Sequence, residues 1–480
     1  MHLAVSASHR VEFGDFQTPA ALANRVADLL RARGLQPRTV LEPTCGVGAF
    51  VDAALSRFAD AMVVACDINP EYVRVTSLKA SASRLTCRVA NGFTHDWRAT
   101  LRDLAEPILV IGNPPWVTAS GVGALGGANL PEKTNFQNRP GLAARTGKSN
   151  FDVAEWLLLR LLEAGHGRDV TLAMLVKTSV ARRVLAHLWS TGVSVANAEM
   201  LRFDAALHFG VAADACLLLC RLGARASIDC AVATLDRPDD RQSAIGWRDG
   251  QLVSNPVAYD RHRALLSNVA PSNEMRWRSG VKHDCSAVME LTREGGGWFR
   301  GASGEPVELE PDYVYPLVKG TDVARGRTAA ARKWVIVTQR KTGDDTSTIA
   351  DRAPKTWRYL CAHGDRLDAR RSSIYRNRPR FAVFGVGPYT FAPWKVAVSA
   401  LHKQPSFRVV GPIDGRPAVL DDTTYHLSST SEADARSIVD VLHEEGSRAL
   451  LESLIFWDAK RPITAEILQR LDLERLAWRR

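Results

Sequence analysis

Asn113-Pro114-Pro115-Trp116 is the tetrapeptide whose residue types most constrain a chemistry. Each proline fixes its own φ and pushes the preceding residue towards extended backbone. The stiff corner that results holds two oxygens, the Asn113 side-chain carbonyl and the Pro114 backbone carbonyl, in one direction. Two acceptors match the two hydrogens of a planar exocyclic amine. Trp116 adds a face on which the ring carrying that amine can stack. Asn-Pro also simply initiates turns, which is the plainer alternative. With proline near 5% of residues, however, an N-P-P-aromatic run arises by chance in under about one chain in a hundred of this length.

Two further groups have types suited to a ligand. Glu42-Pro43-Thr44-Cys45-Gly46-Val47-Gly48 carries two glycines that let the backbone turn tightly and approach a ligand. The third glycine of a dinucleotide fingerprint is missing, which weakens a nicotinamide reading. Asp67 lies 25 residues beyond Glu42, at the end of another apolar run, where a carboxylate can accept both hydroxyls of a ribose. Alone, each reads equally as a strand–helix turn or an exposed strand-end acid. Together they point to a nucleoside cofactor.

The elements that must hold these residues follow from apolar periodicity. Leu22, Val26, Leu29 and Leu30 predict a helix from Pro19, with Thr18 as its N-cap and Gly34 as its stop. Thr39–Leu41, Met62–Cys66, Ile108–Ile111 and Thr171–Val176 read as buried strands. Helices are expected after Phe50 and from Asp152 to Glu163. Continuous apolar strands alternating with helices predict a parallel α/β sheet covered on both faces. Residues 117–149 break the pattern: they are Gly-rich, lack apolar period and carry net +3, which reads as a mobile flap beside the site. Past about residue 223 helical runs become sparse, and they return from Glu432.

The chain has 480 residues, a formal charge of +10 and 46% hydrophobic content. That excludes wholesale disorder and suits about three domains or two large ones. No run of about 18 uncharged apolar residues exists, and the start lacks an apolar signal region, so a cytoplasmic location is expected. The eight cysteines form no CxxC pair, which fits reduced thiols and no metal site. Residues 331–380 hold 13 Lys or Arg against 5 Asp or Glu, interleaved with Trp334, Trp357, Tyr359 and Tyr375. Such a stretch reads either as a surface tracking nucleic-acid phosphates or as the solvated face of a basic protein.

The Gly loop, strand-end acid and NPPW, in that order, resemble the S-adenosylmethionine-dependent amino-methyltransferases. With the recognition region carboxy-terminal, the chain is most similar to the gamma-type adenine-N6 DNA methyltransferases of restriction–modification systems. GDFQTP at 14–19, KSNFD at 148–152 and His208-Phe209-Gly210-Val211 resemble further motifs of that family, as do SGVKHD (279–284), YPLVKGTDV (315–323) and FAPWKVAVSA (391–400) of one Type II-like branch. The resemblance implies a Rossmann-like methyltransferase sheet with helices on both faces, over residues 1–225, then a mixed α+β target recognition domain over 226–480. It implies that Thr18 meets the methionine carboxylate of S-adenosylmethionine. Glu42 and the backbone of Thr44, Cys45, Gly46 and Gly48 would hold the methionine end, Asp67 the ribose and Ile68 the adenine face. The family often has an acid where Asn91 stands here, so Asn91 would bond the adenine amine as a substitute.

Asn113, Pro114 and Trp116 would then act on N6 of an adenine flipped from duplex DNA, with Trp116 and Phe209 sandwiching the base. Lys282, Arg376 and Lys395 are the positions proposed to read base edges. A cognate restriction endonuclease would be a separate polypeptide. The same motif serves enzymes acting on cytosine N4, on RNA guanine and on a glutamine amide. A different class, a non-catalytic DNA-binding specificity subunit, stands as the alternative to an enzyme.

Overall fold

Thr39–Glu42 (β1) and Ile108–Gly112 (β4) are buried at every position, so both faces of the sheet they build are covered. The computed structural model describes residues 16–79, 83–118, 152–295, 297–301 and 304–477. The expected flap therefore lies, apart from Val117 and Thr118, outside the described residues, as do most of KSNFD and the first two residues of GDFQTP. The chain divides into two units after Pro256.

The first unit carries one ten-stranded sheet. Besides β1 and β4 its strands are β2 (Met62–Asp67), β3 (Leu85–Val89), β5 (Val170–Lys177), β6 (Val195–Asp204), β7 (Asp214–Leu222), β8 (Asp229–Thr234), β9 (Ser243–Arg248) and β10 (Gln251–Val253). Their spatial order is β10-β9-β8-β6-β7-β5-β4-β1-β2-β3. From β3 to β5 all pairs are parallel. β7 runs antiparallel between β5 and β6. The parallel part is the α/β sheet expected from the apolar runs, and the whole is the Rossmann-like sheet that the resemblance implies. The chain leaves β1 outwards through β2 and β3, then returns to β4 on the other side of β1. At such a switch point a crevice opens outside the carboxyl ends of the strands.

Helices α1 (Ala20–Ala32) and α2 (Ala49–Arg57) pack Leu22, Val26, Leu30, Phe50 and Val51 onto alternate residues of the strands, among them Val40, Val63, Leu109 and Leu175. Truncating a core aromatic such as Phe50 costs about 3–5 kcal/mol in comparable proteins. α1 starts one residue later than expected. Pro19, at φ −58 and ψ 136, is itself the N-cap, and Thr18 does not cap the helix. Gly34 takes φ +79 just beyond the helix and ends it as expected. Helix α3 (Pro70–Ser77) follows β2, and α4 (Trp97–Arg102) precedes β4. α5 (Val153–Ala164) precedes β5, α6 (Thr178–Thr191) follows it, and α7 (Ala205–Phe209) joins β6 to β7.

The boundary expected near 225 is corrected to 256. β8 pairs parallel to β6, and β9 and β10 follow it antiparallel, so the sheet grows by three strands past Leu222. These strands are half-exposed, and they lack the continuous burial of β1, β4 and most of β2 and β5.

The second unit is mixed α+β. A six-stranded sheet is built from Glu290–Gly295, Trp298–Arg300, Pro306–Glu308, Val314–Val318, Lys333–Ile336 and Val419–Leu420. A four-stranded sheet joins Arg278–Ser279, Trp394–Ser399, Arg408–Val410 and Thr424–Ser429. Helices Glu432–His443 and Glu445–Leu454 confirm the apolar period that resumes at Glu432. Among the described residues no helix is long and apolar enough to cross a membrane.

Candidate active site

The carboxyl ends of β1, β2 and β4 bring three sequence-selected groups to one crevice. Glu42 is the last residue of β1, Asp67 the last of β2, and Asn113 follows β4 directly. Gly112, just before Asn113, lies so close to Glu42 and Pro43 that a Cβ there would sit 3.7 Å from Glu42 Cγ and 3.8 Å from Pro43 Cδ. The glutamate and the proline-stiffened corner are therefore neighbours.

Glu42 Oε2, Thr44 Oγ1 and Asn113 Oδ1 in this crevice are buried and have no hydrogen-bond partner among the described residues. A buried polar atom without a partner costs free energy that a fold rarely tolerates without reason. The Asn113 amide is oriented by its own hydrogen bond, because Nδ2 donates to the Phe16 carbonyl at 3.0 Å. A carbonyl can only accept, so the nitrogen must face Phe16 and the oxygen must face the other way. The Glu42 carboxyl takes a backbone hydrogen bond from Val51, but burial and the nearby Asp67 charge hold it well above the usual carboxylate range. A cation arriving beside it would relieve both effects.

The glycine loop is closed by its own groups. Cys45 N–H donates to Cys66 O at 2.8 Å, Gly46 N–H to Asp67 Oδ2 at 2.8 Å, Val47 N–H to Gln17 Oε1 at 3.0 Å and Gly48 N–H to Cys45 O at 2.8 Å. A phosphate-binding loop offers such donors to its ligand. Here they are occupied, which argues against a pyrophosphate and for a ligand held by side chains. Gly46 and Gly48 both have positive φ, and a Cβ on Gly46 would strike Gln17 Oε1 at 2.5 Å. Gln17 therefore packs directly on the loop, and Thr18 follows it beside the same crevice.

Asp67 accepts from Gly46 N–H through Oδ2 and from Asn69 N–H through Oδ1, both at 2.8 Å. These two bonds orient the carboxylate. Ile68 is 40% exposed, an aliphatic face left uncovered next to Asp67. Asn91 Oδ1 accepts from Phe93 N–H at 3.0 Å, fixing the turn after β3. Burial raises the Cys45 thiol and pushes Cys66 up to about 11 and Cys220 up to about 12, so these thiols stay protonated. None of the eight cysteines, all of them described, is in a disulfide.

Trp116 differs from expectation. It is only 8% exposed, and its indole N–H donates to Leu175 O at 3.1 Å. Its ring meets Phe209 edge-on, with centroids 5.3 Å apart and planes at 65°. The expected sandwich is absent in this conformation, because the two rings touch each other instead of flanking a slot. Phe209 is partly buried against the core and is held by α7, which Asp204 caps and Gly210 ends at φ +69.

In the second unit the Lys282 ammonium pairs with Asp284 at 3.5 Å. The Tyr375 hydroxyl donates to Lys282 O at 3.3 Å, and Arg376 is exposed beside it. Lys395 is corrected: it is 1% exposed, its ammonium donates to Ala392 O at 2.6 Å, and burial pulls it down to about 7. It sits inside the four-stranded sheet, where it cannot reach a base edge. The aromatics of 331–380 also turn inward. Trp334 is buried against Phe299, Trp357 packs on Phe381, and the Tyr359 hydroxyl donates to Val288 O at 2.9 Å. Many of the cations stay outside: Arg352, Arg358, Arg371 and Arg376 are exposed.

Sequence reasoning missed Phe16, Gln17 and Lys177. The first two lie within GDFQTP, whose proximity to the loop no spacing rule gives. Lys177 ends an apolar strand, so the strand-end argument used for Asp67 would have found it.

Comparison with known proteins gives three findings. The chain is 40% identical over 472 residues to the Type II methyltransferase M.NspV of Nostoc sp., covering 98% of each. It is 32% identical over 111 residues, 23% of this chain and 21% of the relative, to the Type II methyltransferase M.XamI of Xanthomonas campestris pv. amaranthicola. Its fold is similar to the solved Type IIL restriction-modification enzyme MmeI in complex with DNA, at TM-score 0.56 and 13% identity over 97% of this chain and 69% of that one. No family model matches. Near-complete mutual coverage at that identity leaves one conclusion: the chain belongs to the Type II methyltransferases.

Proposed function

We propose that this chain is a site-specific DNA methyltransferase that transfers methyl from S-adenosylmethionine to N6 of an adenine extruded from the duplex, as the modification component of a restriction–modification system. The observation that carries this reading is the buried, unpartnered Asn113 Oδ1, oriented by the Nδ2 bond to Phe16 O beside the Pro114 carbonyl.

The crevice suits the cofactor's chemistry. The unpartnered Glu42 Oε2 fits an ammonium, the Thr44 hydroxyl a carboxylate, Asp67 a pair of ribose hydroxyls and the exposed Ile68 a purine face. Thr18, Cys45, Gly46, Gly48 and Asn91 line the same ends of the sheet. When bound, S-adenosylmethionine supplies an electrophilic methyl on a sulfonium. Asn113 Oδ1 and Pro114 O accept the two N–H bonds of the base amine. That returns the nitrogen lone pair from the ring and aims it at the methyl. The chain's contribution is positioning and fixed dipoles, with no covalent adduct. The protonated thiols agree with that. Trp116 and Phe209 receive the base only after their edge-on contact opens.

Residues beyond 256 supply target recognition. On this reading the exposed arginines between 352 and 376 track phosphates, and Lys282 and Arg376 are the candidates for base-edge contacts. Methylation-sensitive long-read sequencing of DNA from cells expressing the chain tests the reading. N6-methyladenine at one short motif is the expected result. N4-methylcytosine would transfer the same mechanism to the other amine. An unmodified genome would leave a binding subunit instead of an enzyme.

A further inference from the structure

The segment after Pro115 is held by a charged group to which no role has been given. Lys177, the last residue of β5, donates from Nζ to Trp116 O at 2.9 Å and to Asp152 Oδ2 at 2.9 Å. Asp152 is the N-cap of α5, and its Oδ1 accepts from Ala154 N–H at 3.2 Å. Its side chain is 5% exposed, so the carboxylate depends on these partners. Val153 N–H donates to Val117 O at 2.9 Å, and Thr118 bridges to Asp152. Two strand residues before Lys177, Leu175 O takes the Trp116 indole N–H. One ammonium thus ties together Trp116, just past β4, and Asp152, the cap of α5, residues 36 apart in sequence.

We infer that Lys177, paired with Asp152, is a positioning residue for methyl transfer: it fixes the Trp116 backbone and thereby sets where the Asn113 and Pro114 oxygens point. The inference rests on the amino-methylation reading above. A proline pair is stiff within itself, but its direction depends on what anchors its two ends. β4 anchors the Asn113 end through its pairing with β1 and β5. At the Trp116 end the backbone carbonyl is held by Lys177 alone among the described residues, and a side-chain tether there can be removed without touching the reacting groups. A displacement of about 1 Å in such a corner is worth about 100-fold in rate.

Single-turnover methyl transfer at saturating DNA and cofactor, cofactor affinity by calorimetry, and melting temperature are measured for K177M, K177R, D152N and K177M/D152N. K177M is expected to transfer about 100-fold more slowly while cofactor affinity stays within about 3-fold. K177R, which can donate to both oxygens, restores most of the rate. K177M also leaves the Asp152 carboxylate buried without its cation, so the double variant separates stability from positioning. Its melting temperature recovers towards wild type while its rate stays low. A K177M/D152N enzyme whose rate recovers together with its melting temperature overturns the inference, and so does K177M at the wild-type rate. Either result beside an inactive N113A sinks the positioning role alone. An active N113A sinks the underlying reading, and the inference falls with it.

Discussion

At the carboxyl ends of β1 and β4, Glu42 Oε2, Thr44 Oγ1 and Asn113 Oδ1 are buried without partners among the described residues, whereas in the second unit Arg352, Arg358, Arg371 and Arg376 stand exposed. On the proposed reading the first arrangement concentrates function in a few buried atoms. Each unsatisfied atom there has a specific complement, and a wrong ligand leaves it unpaired. On the same reading the second spreads function over many solvated charges, each screened by salt. Substitutions should therefore act all-or-none in the crevice and by degrees on the arginine surface.

The largest effect should come from Asn113→Ala. Turnover is expected to fall by about 100- to 1,000-fold, as when one oriented group is removed from a preorganised site, while cofactor affinity changes by less than about 3-fold. Single-turnover rates beside calorimetry check it, and near-normal turnover would remove the contrast.

Glu42→Gln should act on affinity instead. Loss of the charge opposite an ammonium is expected to weaken cofactor binding by at least about 10-fold. The carboxyl is raised in the folded, ligand-free protein. Its contribution to stability is therefore present below the ordinary carboxylate range and is lost as pH rises through the raised range. E42Q should accordingly melt higher than wild type at neutral pH without cofactor. Wild-type cofactor binding should weaken as pH falls through that raised range, because the ionised form is the one that pairs, and E42Q should flatten that dependence. A pH series of titrations decides it.

Arg371→Ala and Arg376→Ala should each weaken DNA binding only a few-fold. Each should also reduce the slope of log affinity against log salt by about 0.9, the value for one phosphate contact. An unchanged slope would assign these arginines to solvent. The smallest effect on DNA should follow Lys395→Met, since that ammonium is buried. Its consequence is stability. Burial lowers the amine to about 7, so the unfolded chain holds the proton more tightly between about pH 7 and its ordinary range. Wild-type stability should rise with pH across that window, and K395M should not show the rise.

What the sequence discloses follows the same contrast. Buried strands announce themselves by continuous apolar runs, so β1, β2, β4 and β5 and the residues at their ends were legible. β8 to β10 were not, because half-exposed strands at a sheet's edge carry no such run. In the crevice, residue types indicated Glu42, Asp67 and Asn113. The Phe16 carbonyl that orients Asn113 lies 97 positions away and is backbone, which no pattern of side chains reveals. Lys395 shows the converse failure. Lysine is so seldom buried that a basic residue in a motif-like stretch is read as exposed. Here the strand Trp394–Ser399 turns it into the sheet.

The central claim is that two fixed oxygens activate an exocyclic amine without a covalent adduct. Its most direct test is to digest duplex DNA methylated by the purified chain and identify the labelled nucleoside by mass spectrometry. The account predicts methyl on an exocyclic nitrogen, as N6-methyladenosine in its deoxy form. Methyl on carbon 5 of cytosine, which requires a thiolate attacking the ring, would contradict it.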